Sequence, residues 1–346
     1  MRPTLPHQIR DEAALEDLLA EPSDADIECV RRLSGDVLVV GAAGKMGPSL
    51  ARRVHNAIAR AGTRNKVLAA SRFSTPAVRQ KLEADGIHTI ACDLLDHTQI
   101  NALPPADNVL FLAGRKFGTL DRTDVTWATN TLVPAQVAGH LAHSRMVVFS
   151  TGNVYALTPA GGRGSREDDP PAPVGEYAQS CLGRERVVEF VSRERRLRAL
   201  MFRLNYAVDL RYGTLVDIAR KVHDGEAIDL TMGYFNAIWQ GDANSYALRS
   251  LELCDSPPAI LNVTGPERIS VRETAEWFGS FFGRTPRLVN TEGPVALLSD
   301  SSRCRERLGE PAVALPLLRE WVGHWVKAGG ASLNKPTHFE VTNGQY

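Results

Sequence analysis

The run Val37-Leu38-Val39-Val40-Gly41-Ala42-Ala43-Gly44-Lys45-Met46-Gly47-Pro48 decides the fold. Four consecutive apolar residues, three of them β-branched, read as a parallel strand covered on both faces. Glycines follow at once, and after them an amphipathic stretch that predicts a helix through about Ala61. Glycine permits a tight turn, a close approach of the backbone to an anion, and close packing of helix on strand. The helix N-terminus then turns its free amides toward that anion. A strand, glycine loop and helix in this order predict a pyrophosphate-binding site built from Gly41, Gly44, Lys45, Met46 and Gly47.

Outward from this unit, strand-like runs recur at residues 66–70, 88–92, 108–112, 145–149 and 199–204, with helical stretches between them. That alternation predicts an α/β fold, a Rossmann-type doubly wound parallel sheet with a smaller C-terminal substrate-binding α/β lobe. The expected organisation is a helical extension over 1–35 and a dinucleotide-binding domain over 36–205, to which about 236–265 return. A substrate-binding lobe takes 206–235 and 266–330, and 331–346 form a tail after Gly329-Gly330. Ser270-Val271-Arg272-Glu273 has the spacing of a capping box opening a helix to Phe282.

Composition removes other classes. The 346 residues carry 40 Lys+Arg offset by 40 Asp+Glu, whereas a general nucleic-acid binder carries a basic excess. No apolar stretch approaches the roughly 18 residues of a membrane span. The first residues are acidic and lack the apolar core of a secretory signal. Five scattered cysteines with no CxxC pair read as reduced thiols of a cytoplasmic protein. His140 and His143 share a helix face, but with no third ligand in view no metal site is expected. Ser150 and Thr151 lack a hydrolase nucleophile elbow.

The cofactor expected from these residues is NADP in preference to NAD. NAD-selective sites place an acid at the end of the second strand, where this chain has Ser71-Arg72. Arg72 can pair a 2′-phosphate bidentately and Ser71 can donate to it, while Lys45 adds positive charge.

From residue 36 to about 328 the sequence resembles the extended short-chain dehydrogenase/reductase family, the NAD(P)-dependent sugar epimerases and dehydratases. Cys92-Asp93-Leu94-Leu95-Asp96 resembles the adenine-contacting D-x-x-D element, which implies Asp93 and Leu94 at the adenine. Phe111-Leu112-Ala113-Gly114 resembles the segment beneath the cofactor, and Asn130 and Asn205 fall at two asparagine positions of the family. Ser150-Thr151-Gly152-Asn153-Val154-Tyr155 resembles its S-S-x-x-V-Y-G element, and Tyr177 stands 26 residues after Thr151. The resemblance implies Tyr177 as the proton-exchanging group during hydride transfer and Thr151 as its partner on the substrate oxygen.

The family's lysine four residues after the tyrosine is replaced by Cys181. A neutral thiol gives no cationic help to a phenol with an ordinary pKa near 10. Lys116, in Gly114-Arg115-Lys116, is the candidate substitute cation and a candidate substrate ligand; the nicotinamide's own charge, or loss of redox chemistry, are the alternatives.

Phe235 and Trp239 stand where nucleotide-sugar members of the family carry an arginine and a histidine. The expected substrate is therefore a smaller sugar, sugar acid or lactone, with Asn153, Arg211 and Trp239 as candidate contacts. A nucleotide-sugar epimerase or dehydratase, and a non-catalytic NAD(P) sensor, are the alternatives. The expected partners are a small-molecule substrate and, by resemblance, a second copy of the chain in a homodimer, with no nucleic acid and no membrane.

Overall fold

The computed structural model describes residues 5–116, 118, 121–335, 337–341, 343 and 344. Seven strands form its main sheet: β1 Val37–Val40, β2 Val67–Ser71, β3 His88–Ala91, β4 Asn108–Phe111, β5 Arg145–Thr151, β6 Arg198–Leu204 and β7 Ala259–Val263. All pair in parallel, in the order β3-β2-β1-β4-β5-β6-β7. The strand runs read from the sequence fall on these strands to within a residue or two. β5 extends further, carrying Ser150 and Thr151 to its C-terminal end.

The unbroken apolar run of β1 follows from burial on both faces. Val37 and Val39 enter one core and Leu38 and Val40 the other. β5 and β6 divide in the same way, with Val147, Phe149, Leu200 and Phe202 on one face and Met146, Val148, Ala199 and Met201 on the opposite face. The strand order reverses between β1 and β4, which opens a crevice at the C-terminal strand ends.

A further core lies beyond β6. It is built by the helices Thr214–Asp224, Val271–Phe282 and Leu315–Lys327, with Trp321 and Phe278 fully buried. The Ser270 hydroxyl accepts from Glu273 N at the start of Val271–Phe282, as its spacing predicts.

The N-terminal extension is two helices, α1 Glu12–Ala20 and α2 Asp24–Arg32. They lie across α3, the helix Gly47–Ala61 that follows the glycine loop. Leu15 and Leu19 of α1 belong to the core beyond β6, while Cys29 and Val30 of α2 belong to the sheet core, so the extension joins both. Ser23 and Asp26 form a reciprocal capping box at α2. Buried Asp26 also pairs with Arg53 of α3 at 2.7 Å and accepts from Ser245 at 2.6 Å.

The segment after Gly330 corrects the reading of a tail. Phe339 is 2% exposed and lies 6.0 Å from the Phe235 ring, centroid to centroid. Thr337 donates through N and Oγ1 to Asp217, Lys221 pairs with Glu340, and Leu333 N donates to the Arg211 carbonyl. A chain end rich in polar residues looks free in sequence. Here one aromatic and several side chain–backbone bonds tie it down as a strap.

Candidate functional site

A cavity of about 700 Å³ opens at the C-terminal ends of β1, β4 and β5. Gly41, Gly44, Lys45, Met46 and Gly47 all line it, as do Leu112 and Gly114 from the end of β4. Gly41 has φ +86°, and a Cβ there would lie 2.7 Å from Ala113 N, so only glycine lets the loop cross the end of β4. A Cβ on Gly47 would lie 2.4 Å from the Ala42 carbonyl oxygen, which fixes α3 tightly against the loop. No side chain caps the start of α3. Gly47 N there donates to the Gly44 carbonyl at 3.2 Å and Pro48 has no amide hydrogen; the glycine packing and the cavity are what fit a dinucleotide pyrophosphate.

The opposite wall carries Thr151, Asn153, Tyr177 and Asn205. Thr151, at the end of β5, donates to Asn153 Oδ1 at 3.0 Å and accepts from Asn153 N at 3.2 Å. Its hydroxyl also hydrogen-bonds the Tyr177 phenol, which projects from the helix Gly175–Arg195. Burial pushes that phenol well above its ordinary range, and the Cys181 thiol one turn further on pushes in the same direction. Cys181 itself is 1% exposed against Val154 and Tyr155, a small packing residue as well as a hydrogen-bond partner of Tyr177.

Lys116 reaches the cavity and donates to the Thr337 carbonyl oxygen at 3.3 Å. Desolvation lowers its ammonium to about 8, with Cys181 and Asp217 among the groups that favour its charge. Lys45 turns toward the second lobe, 3.8 Å from the Tyr212 ring centre and 3.2 Å from the Ala207 carbonyl. Although the Lys45 side chain faces the cavity, surrounding protein lowers its ammonium to about 7, and the like charges of Lys116 and Arg211 add to that.

Other expected residues lie elsewhere. Arg211 lines the cavity, yet its guanidinium is already shared among Asp209, Glu12 and Glu16 at 2.8, 3.4 and 3.1 Å, which leaves no free fork for a substrate carboxylate. Trp239 is 3% exposed, edge-on to Trp321 at 5.3 Å inside the second core and outside the cavity lining. Its apolar body serves packing, not a substrate.

Asn130 is wholly buried and ties Arg115 N and O to Ser180, holding the loop after β4 against the long helix from below. Ser71 and exposed Arg72 end β2, while Asp93 accepts from Leu95 N in the turn after β3. Neither these nor Leu94 and Ala113 form the cavity wall. Lys45 points away from Arg72 toward the second lobe, so the two cations do not converge on one phosphate.

Sequence reading missed five contributors. Leu333, Lys335 and Thr337 of the strap line the cavity, and so does Glu16 of α1, which is ion-paired to Lys81. Arg184 was hidden in a run of charged helix residues. Its spacing of seven from Tyr177, two turns on one face, is the signal that finds it.

Fold and cavity together define a dinucleotide-binding α/β enzyme with a Thr–Tyr pair beside the cofactor crevice. The profile of the NAD dependent epimerase/dehydratase family matches residues 37–231, and the chain belongs to that family. No curated protein sequence matches the chain. Solved structures share the fold. UDP-glucuronic acid 4-epimerase from Bacillus cereus, in complex with NAD, superposes with TM-score 0.68 at 18% identity, covering 84% of this chain and 98% of its own. UDP-glucose 4-epimerase from Thermotoga maritima, with UDP-glucose, gives 0.68 at 17% identity over 85% and 99%. The Thermus thermophilus UDP-glucose 4-epimerase complex with NAD gives 0.66 at 20% over 84% and 99%. Among the described residues no helix is long and apolar enough to cross a membrane.

Proposed function

We propose that the protein is an NAD(P)-dependent epimerase or dehydratase acting on a negatively charged sugar derivative, nucleotide sugars first among them. The observation that carries this reading is the convergence of Thr151, Tyr177 and Lys116 on the cavity of the glycine loop. The cofactor, when bound, supplies the acceptor and donor of hydride. Tyr177 exchanges the proton of the substrate oxygen, and Thr151 fixes that oxygen against the phenol. Lys45 and Lys116 hold the anionic group, and the strap keeps bulk water from the reacting end.

Nucleotide sugars are favoured because the epimerases from B. cereus and T. maritima are UDP-sugar enzymes by name. A smaller sugar acid is the second reading. It is favoured by Phe235, which fills the position of a diphosphate-binding arginine with a buried ring beneath Phe339. A sensor without catalysis leaves the Thr151–Tyr177 pair without a use.

For the cofactor we propose NADP(H) over NAD(H), on the strength of Ser71 and Arg72 where an acid would select NAD. A homodimer through the helices of residues 123–140 and 175–195 is proposed because they expose Trp127, Leu132 and Phe190, the last 65% exposed.

Calorimetric titration with NADPH and NADH, followed by NMR of UDP-glucose and UDP-glucuronic acid incubated with the loaded protein, tests the proposal. Cofactor binding with exchange or elimination at the sugar is expected. Folded protein that binds neither cofactor overturns it.

A further inference from the structure

Beneath Tyr177 and Thr151 the long helix Gly175–Arg195 inserts a charged side chain. Arg184 lies two turns beyond Tyr177, on the same face, and is 5% exposed. Its Nη1 donates to the Phe149 carbonyl at 2.6 Å, and its Nη2 to Asn130 Oδ1 at 2.8 Å. Nε donates to the Asn130 carbonyl at 3.4 Å. A Cβ on Gly114 would lie 2.6 Å from Nη2, so the guanidinium packs directly under the glycine that lines the cavity.

Among the described residues no carboxylate pairs with Arg184. Its neighbour Glu185 faces Arg203 and Ser150 instead. A guanidinium buried against carbonyl dipoles alone is costly, because dipoles compensate less of the lost hydration than a counter-charge does. The proton-losing groups that feel this charge are Tyr177 and Cys181.

We infer that Arg184 is the positioning residue that supplies, from beneath the cavity, the positive charge that proton transfer at Tyr177 requires. The inference rests on the role proposed above for Tyr177. It explains how the helix tolerates a thiol at Cys181: the cation has moved to a position three residues later on the same helix. Burial raises the phenol, and Arg184 and the Thr151 hydrogen bond pull it back. Lys116 acts on the Cys181 thiol and on the strap carbonyl. Among the described residues the other ionisable groups on this side are Cys181 on its own helix, Lys116 after β4, the Glu185–Arg203 pair between helix and β6, and Tyr155, which Arg203 and Asn262 hold.

The test places 3,5-difluorotyrosine at position 177, whose fluorines bring the phenol's ionisation toward the neutral range, and follows it by 19F NMR. The backgrounds are the parent chain, Arg184→Met, Arg184→Lys, Asn130→Asp and Lys116→Met. Arg184→Met should raise the midpoint by about one pH unit or more, a tenfold loss in ionisation constant, and Arg184→Lys should restore most of it. Asn130→Asp neutralises the guanidinium without removing it, so it gives the same rise even if Arg184→Met does not fold. Midpoints that stay within a factor of two in the folded Arg184→Met or Asn130→Asp protein overturn the inference, the more so if Lys116→Met moves them. Neither cofactor nor substrate is needed. A failure of the proposed hydride chemistry therefore leaves this result readable, and unmoved midpoints in an active enzyme sink the inference alone.

Discussion

The Lys116 ammonium lies 3.3 Å from the Thr337 carbonyl oxygen, a contact that joins the segment after β4 to one 221 residues later. It places the strap on the wall of the cavity that Lys116 also lines. Phe339 anchors that strap in the second core, where burying a phenyl ring and then deleting it leaves a cavity the fold fills poorly. Phe339→Ala should therefore cost about 3–5 kcal/mol. Urea denaturation reads the loss directly, and an unchanged midpoint would mean that the strap does not dock.

Tyr177 and Thr151 share one hydrogen bond and one cavity wall. Tyr177→Phe or Thr151→Val should lower turnover by about 10²–10⁴-fold, the usual range for a proton-transferring group. Calorimetric affinity for the cofactor should stay within a few-fold. Full turnover in a variant removes the residue it replaces from the chemistry.

Lys45 and Lys116 ionise at about 7 and about 8 and face the same space. Rising pH removes their protons and with them the positive charge an anionic ligand meets. Affinity for UDP, measured at pH 6.5, 7.5 and 9, should fall by about tenfold or more across that range. An affinity independent of pH would place the anion elsewhere.

Asp26 and Arg53 form a buried pair with side chains 0% and 7% exposed. Removing one partner leaves the other charge desolvated, and Asp26→Ala should cost about 3–5 kcal/mol. A loss under 1 kcal/mol in chemical denaturation would show that water reaches Arg53.

The sheet was legible because its code is local. An apolar run of four and a glycine loop need no distant partner to be recognised, and six of the seven strands could be found from such runs, β7 not among them. The glycine loop was legible for the same reason, whereas Thr151 and Tyr177 were singled out only by the family resemblance, and the structure brings both to the cavity. Arg211 and Trp239 were misread because partner choice is a tertiary fact. Nothing next to Arg211 in sequence reveals Glu12 and Glu16, which arrive from a helix almost 200 residues away. Trp239 likewise packs on Trp321 of a later helix. The strap was invisible because a few polar residues around one phenylalanine give no periodic signal. Arg184 was masked by Arg186, Arg193 and Arg195, which on the same helix face solvent or exposed acids.

The network around Asp26 also says where this protein may be cut. The family match begins at residue 37 and stops at 231. A piece with those ends would keep Arg53 in α3 without its carboxylate and would leave β6 as a bare sheet edge in place of β7. An unpaired strand edge of this kind invites aggregation. The portable unit, the stretch that could be moved into another gene and still fold, therefore reaches back at least to Ser23 and forward past Val263, well outside the signature by which the family is recognised.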